Sequence, residues 1–258
     1  MFADGKEETE SKRKDAQETA MTNFEQGLSS DPCNCATLLY QAMNVSLRVS
    51  KFDKTDGAQF LPQDAFERIW SAIEADEDSG NQQMLKLMDI QPNESSEDDR
   101  RLAEYILKDA KKIFLIAIWM NLKRLQAAME LFRAAQFCDE DLPIEEWSGQ
   151  RFMSTSENHK FVQMEESQGA SSRRIWDMRS ITEFQSDQWL FLAPKISTKV
   201  ETCNFDNDCP IPFIAKSTKQ CSGAHGVVNK YTIHHAHFEN ALRPVDSPLC
   251  HLNAVQAN

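Results

Sequence analysis

The chain has 258 residues, with 40 acidic and 28 basic side chains and a formal net charge of −12. Hydrophobic residues make up 41% of the chain, which supports a packed core and excludes wholesale disorder. A net negative surface repels phosphate, so we expect neither nucleic acid nor an anionic membrane as a partner.

The amino-terminal residues predict the compartment. Residues 1–20 are charged and polar, without the apolar segment of a secretory signal. The best membrane candidate, residues 113–120, has eight residues, whereas a membrane-spanning helix needs roughly 20. Seven cysteines without an export signal fit reduced thiols. We therefore expect a cytoplasmic protein.

Residues 1–30 are expected to form a disordered arm, because charged and polar side chains dominate them. A helical domain is expected over residues 31–147. Its apolar residues predict a first helix over 36–49, and Leu61-Pro62 predicts the start of a second, since proline fits a first helical turn. Residues 84–88 indicate a further short helix.

The strongest helix signal follows. Ser95 or Ser96 can cap a helix whose first turn carries aspartates, which the helix dipole favours. Residues 113–120 are apolar on all sides, which predicts a helix at the centre of the core. Residues 122–136 predict another helix with an apolar inner face.

The carboxy-terminal part changes character. Residues 148–172 are polar and are expected to be a linker. Residues 173–240 are expected to be a separate region with a strand over 227–235, and residues 241–258 an irregular tail. We expect this carboxy-terminal third to be poorly ordered, prone to aggregation or covered by a partner. The predicted fold class is therefore mainly α, with a helical N-terminal domain followed by a short β-hairpin.

One segment suggests nucleotide chemistry: Cys221-Ser-Gly223-Ala-His-Gly226-Val-Val228. Two glycines three positions apart, followed by a valine on a strand, match part of the loop that covers phosphates in kinases. Glycines allow backbone amides to approach phosphate, where a side chain would intervene. The alternative interpretation is a simple hairpin turn.

Several short motifs accompany this loop in a fixed order. They are Asp141-Leu-Pro143, Gln188-Trp-Leu-Phe-Leu-Ala-Pro194, Cys209-Pro-Ile-Pro-Phe213 and Ile233-His-His-Ala-His237. Their order and spacing, over about residues 100–238, resemble a group of fungal protein-kinase-like proteins. The resemblance implies a helical N-terminal region followed by the start of a kinase N-lobe.

The resemblance implies roles for three residues. Gly223 and Gly226 would touch the phosphates of ATP, and Val228 would contact adenine. The sequence departs from the family where Cys221 replaces a glycine and where His225 replaces the usual aromatic residue.

The sequence that follows the loop argues against catalysis. Phosphoryl transfer needs a lysine on the third strand, a catalytic aspartate and metal-holding residues. About thirty residues follow Val228, and Lys230 is their only lysine. We therefore expect no catalytic or metal-binding residues, and no cofactor or, as the alternative, weakly bound ATP.

Three functional hypotheses remain open. The first is a non-catalytic kinase-like protein, an interaction or regulatory module with a protein partner or a truncated gene product. The alternative is the N-terminal part of a serine/threonine kinase with an ATP-binding loop. The third is a short form that competes with full-length relatives. A partial N-lobe would leave strand edges unpaired.

A metal site is a separate hypothesis. Its candidate ligands are Cys221, His234, His235, His237, Cys250 and His251. Their spacing fits no zinc-finger pattern, so the sequence favours ordinary thiols and imidazoles.

Overall fold

A computed structural model describes residues 4–30, 34–53, 55–75, 77–147, 151–155, 160–163, 176, 178–197, 205–217, 221–223, 226–239 and 250–256. The chain forms two compact units. The helical unit comprises Met1–Val45 and Arg68–Gln188. The sheet unit comprises Ser46–Glu67 and Trp189–Asn258.

The chain is mainly helical, as the sequence predicts. Its helices are α1 (Asp4–Ser30), α2 (Cys35–Ser46), α3 (Gln63–Ile73), α4 (Glu77–Leu87), α5 (Glu97–Asp109), α6 (Lys111–Trp119), α7 (Leu125–Ala134) and α8 (Met178–Asp187). None of these helices combines the length and the apolar character that crossing a bilayer requires.

The core of the helical unit is built around α6. All its side chains from Ile113 to Ile118 are buried, which confirms the prediction of a central helix. The preceding helix, α5, has the predicted cap: the Ser96 hydroxyl accepts a bond from the Asp99 backbone, and the Asp99 carboxylate accepts one from the Ser96 backbone. This reciprocal pair satisfies two otherwise unpaired N–H groups.

The N-terminal prediction was wrong. Residues 1–30 were expected to be disordered, yet α1 occupies Asp4–Ser30. Met21, Phe24 and Leu28 bury one side of its last turns. The Arg68 guanidinium also donates two hydrogen bonds, of 2.7 and 2.9 Å, to the Glu18 carboxylate. A few buried side chains therefore stabilise a helix whose composition is otherwise that of a solvated arm.

The segment expected to be a linker contains paired strands. β3 (Ile144–Trp147), β4 (Arg151–Ser154) and β5 (Phe161–Gln163) form an antiparallel meander in the helical unit. The predicted boundaries therefore differ from the observed division. Residues 46–67 belong to the sheet unit, and residues 173–188 belong to the helical unit.

The sheet unit is built on one long strand. Its strands are β1 (Arg48–Val49), β2 (Gln59–Phe60), β6 (Ile196–Ser197), β7 (Phe213–Lys216), β8 (Cys221–Gly223), β9 (Gly226–Ile233), β10 (Phe238–Glu239) and β11 (Cys250–Gln256). β9 pairs antiparallel with β7 and β8, and also with β11. The expected irregular tail thus contains a strand, and β11 covers an edge of β9 expected to be unpaired.

The core of the sheet unit is aromatic and branched aliphatic. Ile196, Ile211, Phe213, Tyr231 and Ile233 are buried together. The rings of Phe213 and Tyr231 stack with centroids 4.7 Å apart. Phe52 meets both rings edge-on, so the segment Ser46–Glu67 packs directly onto the strands.

Candidate functional site

The glycine-rich segment forms a hairpin. Gly223 lies opposite Gly226 at the end of the β8–β9 pair, and Cys221 lies opposite Val228. Residues 224 and 225, which join the strands, lie outside the described residues. On its other edge Val228 pairs with Val255 of β11. The structure therefore confirms a hairpin at this position and brings the two glycines together.

A lysine of the neighbouring strand is held by an ion pair. Nζ of Lys216 donates to both carboxylate oxygens of Asp53, at 2.6 and 2.8 Å. The bond from Lys216 holds the pKa of Asp53 below its ordinary value. The same ammonium lies 5.8 Å from the ring centroid of Tyr231. Lys216 is therefore engaged by the Asp53 carboxylate and lies near the Tyr231 ring, both within the sheet unit.

The motif at residue 188 has a structural role. The Gln188 side chain is buried and binds the backbone of Ile144 as a strand would, accepting from its N–H at 2.8 Å and donating to its carbonyl at 3.0 Å. A third bond joins Gln188 to the carbonyl of Gln185. The side chain satisfies backbone groups at the start of β3.

The Cys209–Phe213 segment also serves backbone pairing. The carbonyl of Ile211 accepts a 2.7 Å bond from the Ser50 hydroxyl. The carbonyl of Pro212 accepts a 2.9 Å bond from the backbone N–H of His234. The carbonyl of Phe213 accepts a 2.6 Å bond from the backbone N–H of Lys51. This segment ties two distant parts of the sheet unit together.

Beyond the end of β9, three polar side chains converge. One ligand atom each of Asp64, His234 and His235 lies within 4.8 Å of the others. Nε2 of His235 is 3.3 Å from Oδ2 of Asp64, and the rings of His234 and His235 stack at 4.7 Å. We refer to these three residues as the histidine cluster.

His237 lies beside the histidine cluster and has a structural role. Its Nε2 accepts a 3.1 Å bond from the backbone N–H of Gln63, the first residue of α3, and its Nδ1 lies 3.0 Å from the carbonyl of Pro194. A ring that accepts through Nε2 donates from Nδ1, which fixes its tautomer. His237 therefore caps α3 and positions Asp64 in the first turn of that helix.

The buried member of the cluster is His234, whose residue is 6% exposed. Its Nδ1 is buried and has no hydrogen-bond partner among the described residues. Burial lowers the pKa of His234 to about 4; Asp64 opposes this shift, and His235, His237 and Arg48 add to it. The imidazole is therefore neutral at physiological pH and offers a nitrogen lone pair.

The candidate metal ligands predicted from the sequence are only partly brought together. His234 and His235 meet, while both ring nitrogens of His237 are engaged. Backbone pairing places Cys221 opposite Val228, five positions along β9 from Ile233, so it lies far from the cluster. Sequence reasoning missed Asp64, because nothing local links it to the histidines.

Comparison with known proteins identifies no similar protein. The chain matches no family model, no curated protein and no solved structure.

Proposed function

We propose that the chain is a non-catalytic, kinase-like protein that acts as an interaction module for a protein partner. The observation that carries the proposal is the strand beside β9. Kinases bind ATP phosphates with a lysine on their third strand. In this chain the strand that follows the hairpin and pairs with β9 is β11, Cys250–Gln256. It stands where a kinase would have its third strand, and its seven residues include no lysine.

The ion pair on β7 supports the same proposal. Using Lys216 for phosphate binding would first require breaking its two bonds to Asp53. The net charge of −12 further disfavours nucleic acid and anionic membranes as partners. We place this module in the cytoplasm, where its cysteines would remain reduced.

A second candidate function is the N-terminal part of a serine/threonine kinase with an ATP-binding loop. The pairing of Gly223 with Gly226 favours it, because a hairpin that ends in two glycines lets phosphate approach the backbone. On this proposal Val228 contacts the adenine ring. Coding sequence downstream of residue 258 that supplies a third-strand lysine would favour this candidate.

The experiment is nucleotide binding by the purified chain. We expect no saturable shift of the melting temperature with Mg-ATP and no transfer of labelled phosphate to the chain or to a general substrate protein. If a shift appears, Gly226→Ala tests whether the hairpin causes it. Gly80→Ala, in the helical unit, is the matched control. A shift abolished only by Gly226→Ala establishes the second candidate and overturns the first.

A further inference from the structure

We propose that Asp64, His234 and His235 form a binding site for one zinc ion. The proposal rests on two independent observations. The three side chains bring ligand atoms within 4.8 Å of one another. In addition, a buried nitrogen of the innermost ligand, Nδ1 of His234, has no hydrogen-bond partner among the described residues.

The unpartnered nitrogen is the stronger of the two observations. Buried polar atoms are almost always hydrogen-bonded, so an exception indicates a missing ligand, ion or water. Phe60 meets the rings of both His234 and His237 edge-on, so an apolar ring lies against one side of the His234 imidazole. A bound cation would draw on the lone pair of the neutral imidazole.

The distances suit a small cation with tetrahedral geometry. Zinc holds nitrogen and carboxylate ligands at roughly 2.0–2.2 Å, which in tetrahedral geometry separates two ligand atoms by about 3.3–3.6 Å. The separation between Nε2 of His235 and Oδ2 of Asp64 is 3.3 Å. The side chains of His235 and Asp64 are 69% and 49% exposed, so packing does not enclose either of them. Closing the wider gap to His234 would require the Asp64 carboxylate to loosen its 3.0 Å bond from the Ala65 backbone N–H or the His235 ring to turn.

The donor set selects the ion. Two imidazole nitrogens and one carboxylate oxygen suit zinc and cobalt, whereas magnesium and calcium prefer oxygen ligands alone. Three protein ligands leave one coordination position for water or a partner's side chain. His237 positions one of these ligands indirectly. Its bond from the Gln63 backbone fixes the start of α3, the helix that carries Asp64.

The test is isothermal titration calorimetry of the reduced 258-residue chain with zinc chloride. We expect one zinc ion to bind per chain. Asp64→Asn and His235→Gln should each lower the affinity for this ion at least ten-fold. Both side chains are exposed, so both variants should keep the metal-free melting temperature of the parent chain. Asp56→Asn, an exposed aspartate of the same unit, is the matched control and should leave zinc binding unchanged.

A second readout identifies the geometry. Cobalt bound at this site should give the visible absorption of a tetrahedral complex, and His235→Gln should remove it. The proposal is overturned if zinc does not bind saturably or if Asp64→Asn and His235→Gln bind it as the parent does. It is equally overturned if Asp56→Asn weakens zinc binding as much as the site variants do, or if magnesium displaces zinc at equal concentration.

Discussion

The carboxylate of Asp141 shows how one buried charge is stabilised. Asp141 is 2% exposed and accepts 2.8 Å bonds from Nζ of Lys160 and from the backbone N–H of Cys138. Burial acts to raise the pKa of Asp141, but the bonds from Lys160 and Cys138 together bring it below its ordinary value. The Asp-Leu-Pro element therefore stabilises the helical unit.

Lys160→Met should lower the free energy of unfolding by about 2 kcal/mol at pH 7, because it leaves the Asp141 charge buried without its cation. The depressed pKa of Asp141 contributes stability above its unfolded pKa, and this contribution is lost as pH falls through the folded value. The difference between Lys160→Met and the parent chain should therefore shrink towards pH 3. Urea denaturation at both pH values measures it.

The matched control is the double variant Asp141→Asn with Lys160→Met. It has no buried charge, and the asparagine oxygen still accepts from the Cys138 backbone. We expect it to be more stable than Lys160→Met alone. A single variant as stable as the parent at pH 7 would show that solvent already satisfies the carboxylate.

At the scale of single elements, α6 begins with a cap supplied from elsewhere in the chain. Ala110 precedes the helix and offers no side-chain acceptor. The Asp139 carboxylate instead accepts bonds from the backbone N–H of Lys112, at 2.9 and 2.8 Å, and of Ile113, at 3.1 Å. These bonds satisfy orphan donors at the start of the central helix.

Asp139→Ala should therefore be less stable than Asp139→Asn by about 1 kcal/mol, since only asparagine keeps an acceptor oxygen. Burial raises the pKa of Asp139 to about 6. The folded state of the parent then holds this proton more tightly than the unfolded state, so stability falls as pH rises from about 4 to about 6. Asp139→Asn should lack this decline. Parallel melting curves across that range test the prediction, and identical slopes would contradict it.

Two helical glycines should respond differently to alanine. At Gly80 in α4, an added Cβ would have its nearest neighbour, the Ile73 carbonyl oxygen, at 3.6 Å, an ordinary contact. Gly80→Ala should raise the free energy of unfolding by about 0.8 kcal/mol, because alanine restricts the unfolded chain and favours helix. At Gly27 in α1 the added carbon would collide with Cδ1 of Leu38. Gly27→Ala should therefore gain less stability than Gly80→Ala. Chemical denaturation of both variants measures the two gains, and a larger gain for Gly27→Ala would contradict the prediction.

At the scale of the whole molecule, the charge of −12 makes folding sensitive to ionic strength. Raising salt from about 0.01 to about 0.15 M shortens the Debye length from about 30 to about 8 Å and screens repulsion between acidic side chains. We expect the melting temperature to rise by a few degrees over this range. Replacing the exposed Glu94, Glu104 and Asp109 by amides should reduce the rise, and a rise unaffected by these changes would point to another cause.

Local patterns predicted several elements correctly. The all-apolar stretch around Ile116 predicted the buried helix, and Ser96 followed by Asp99 predicted the cap of α5. The alternation after Val227 predicted the strand β9, and the paired glycines predicted its hairpin. Each signal operates within a few residues of sequence, where helical periodicity, strand alternation and turn geometry act directly.

The sequence by itself determined that the chain is mainly helical, where its central helix lies and that a glycine hairpin follows. The tertiary structure decided that α1 is ordered, that Ser46–Glu67 belongs with the strands, and that Asp64 lies beside His234 and His235. The physical reason is the range of the interactions. Periodicity reports which face of an element is apolar, but not which distant residue covers it or which charge meets it there.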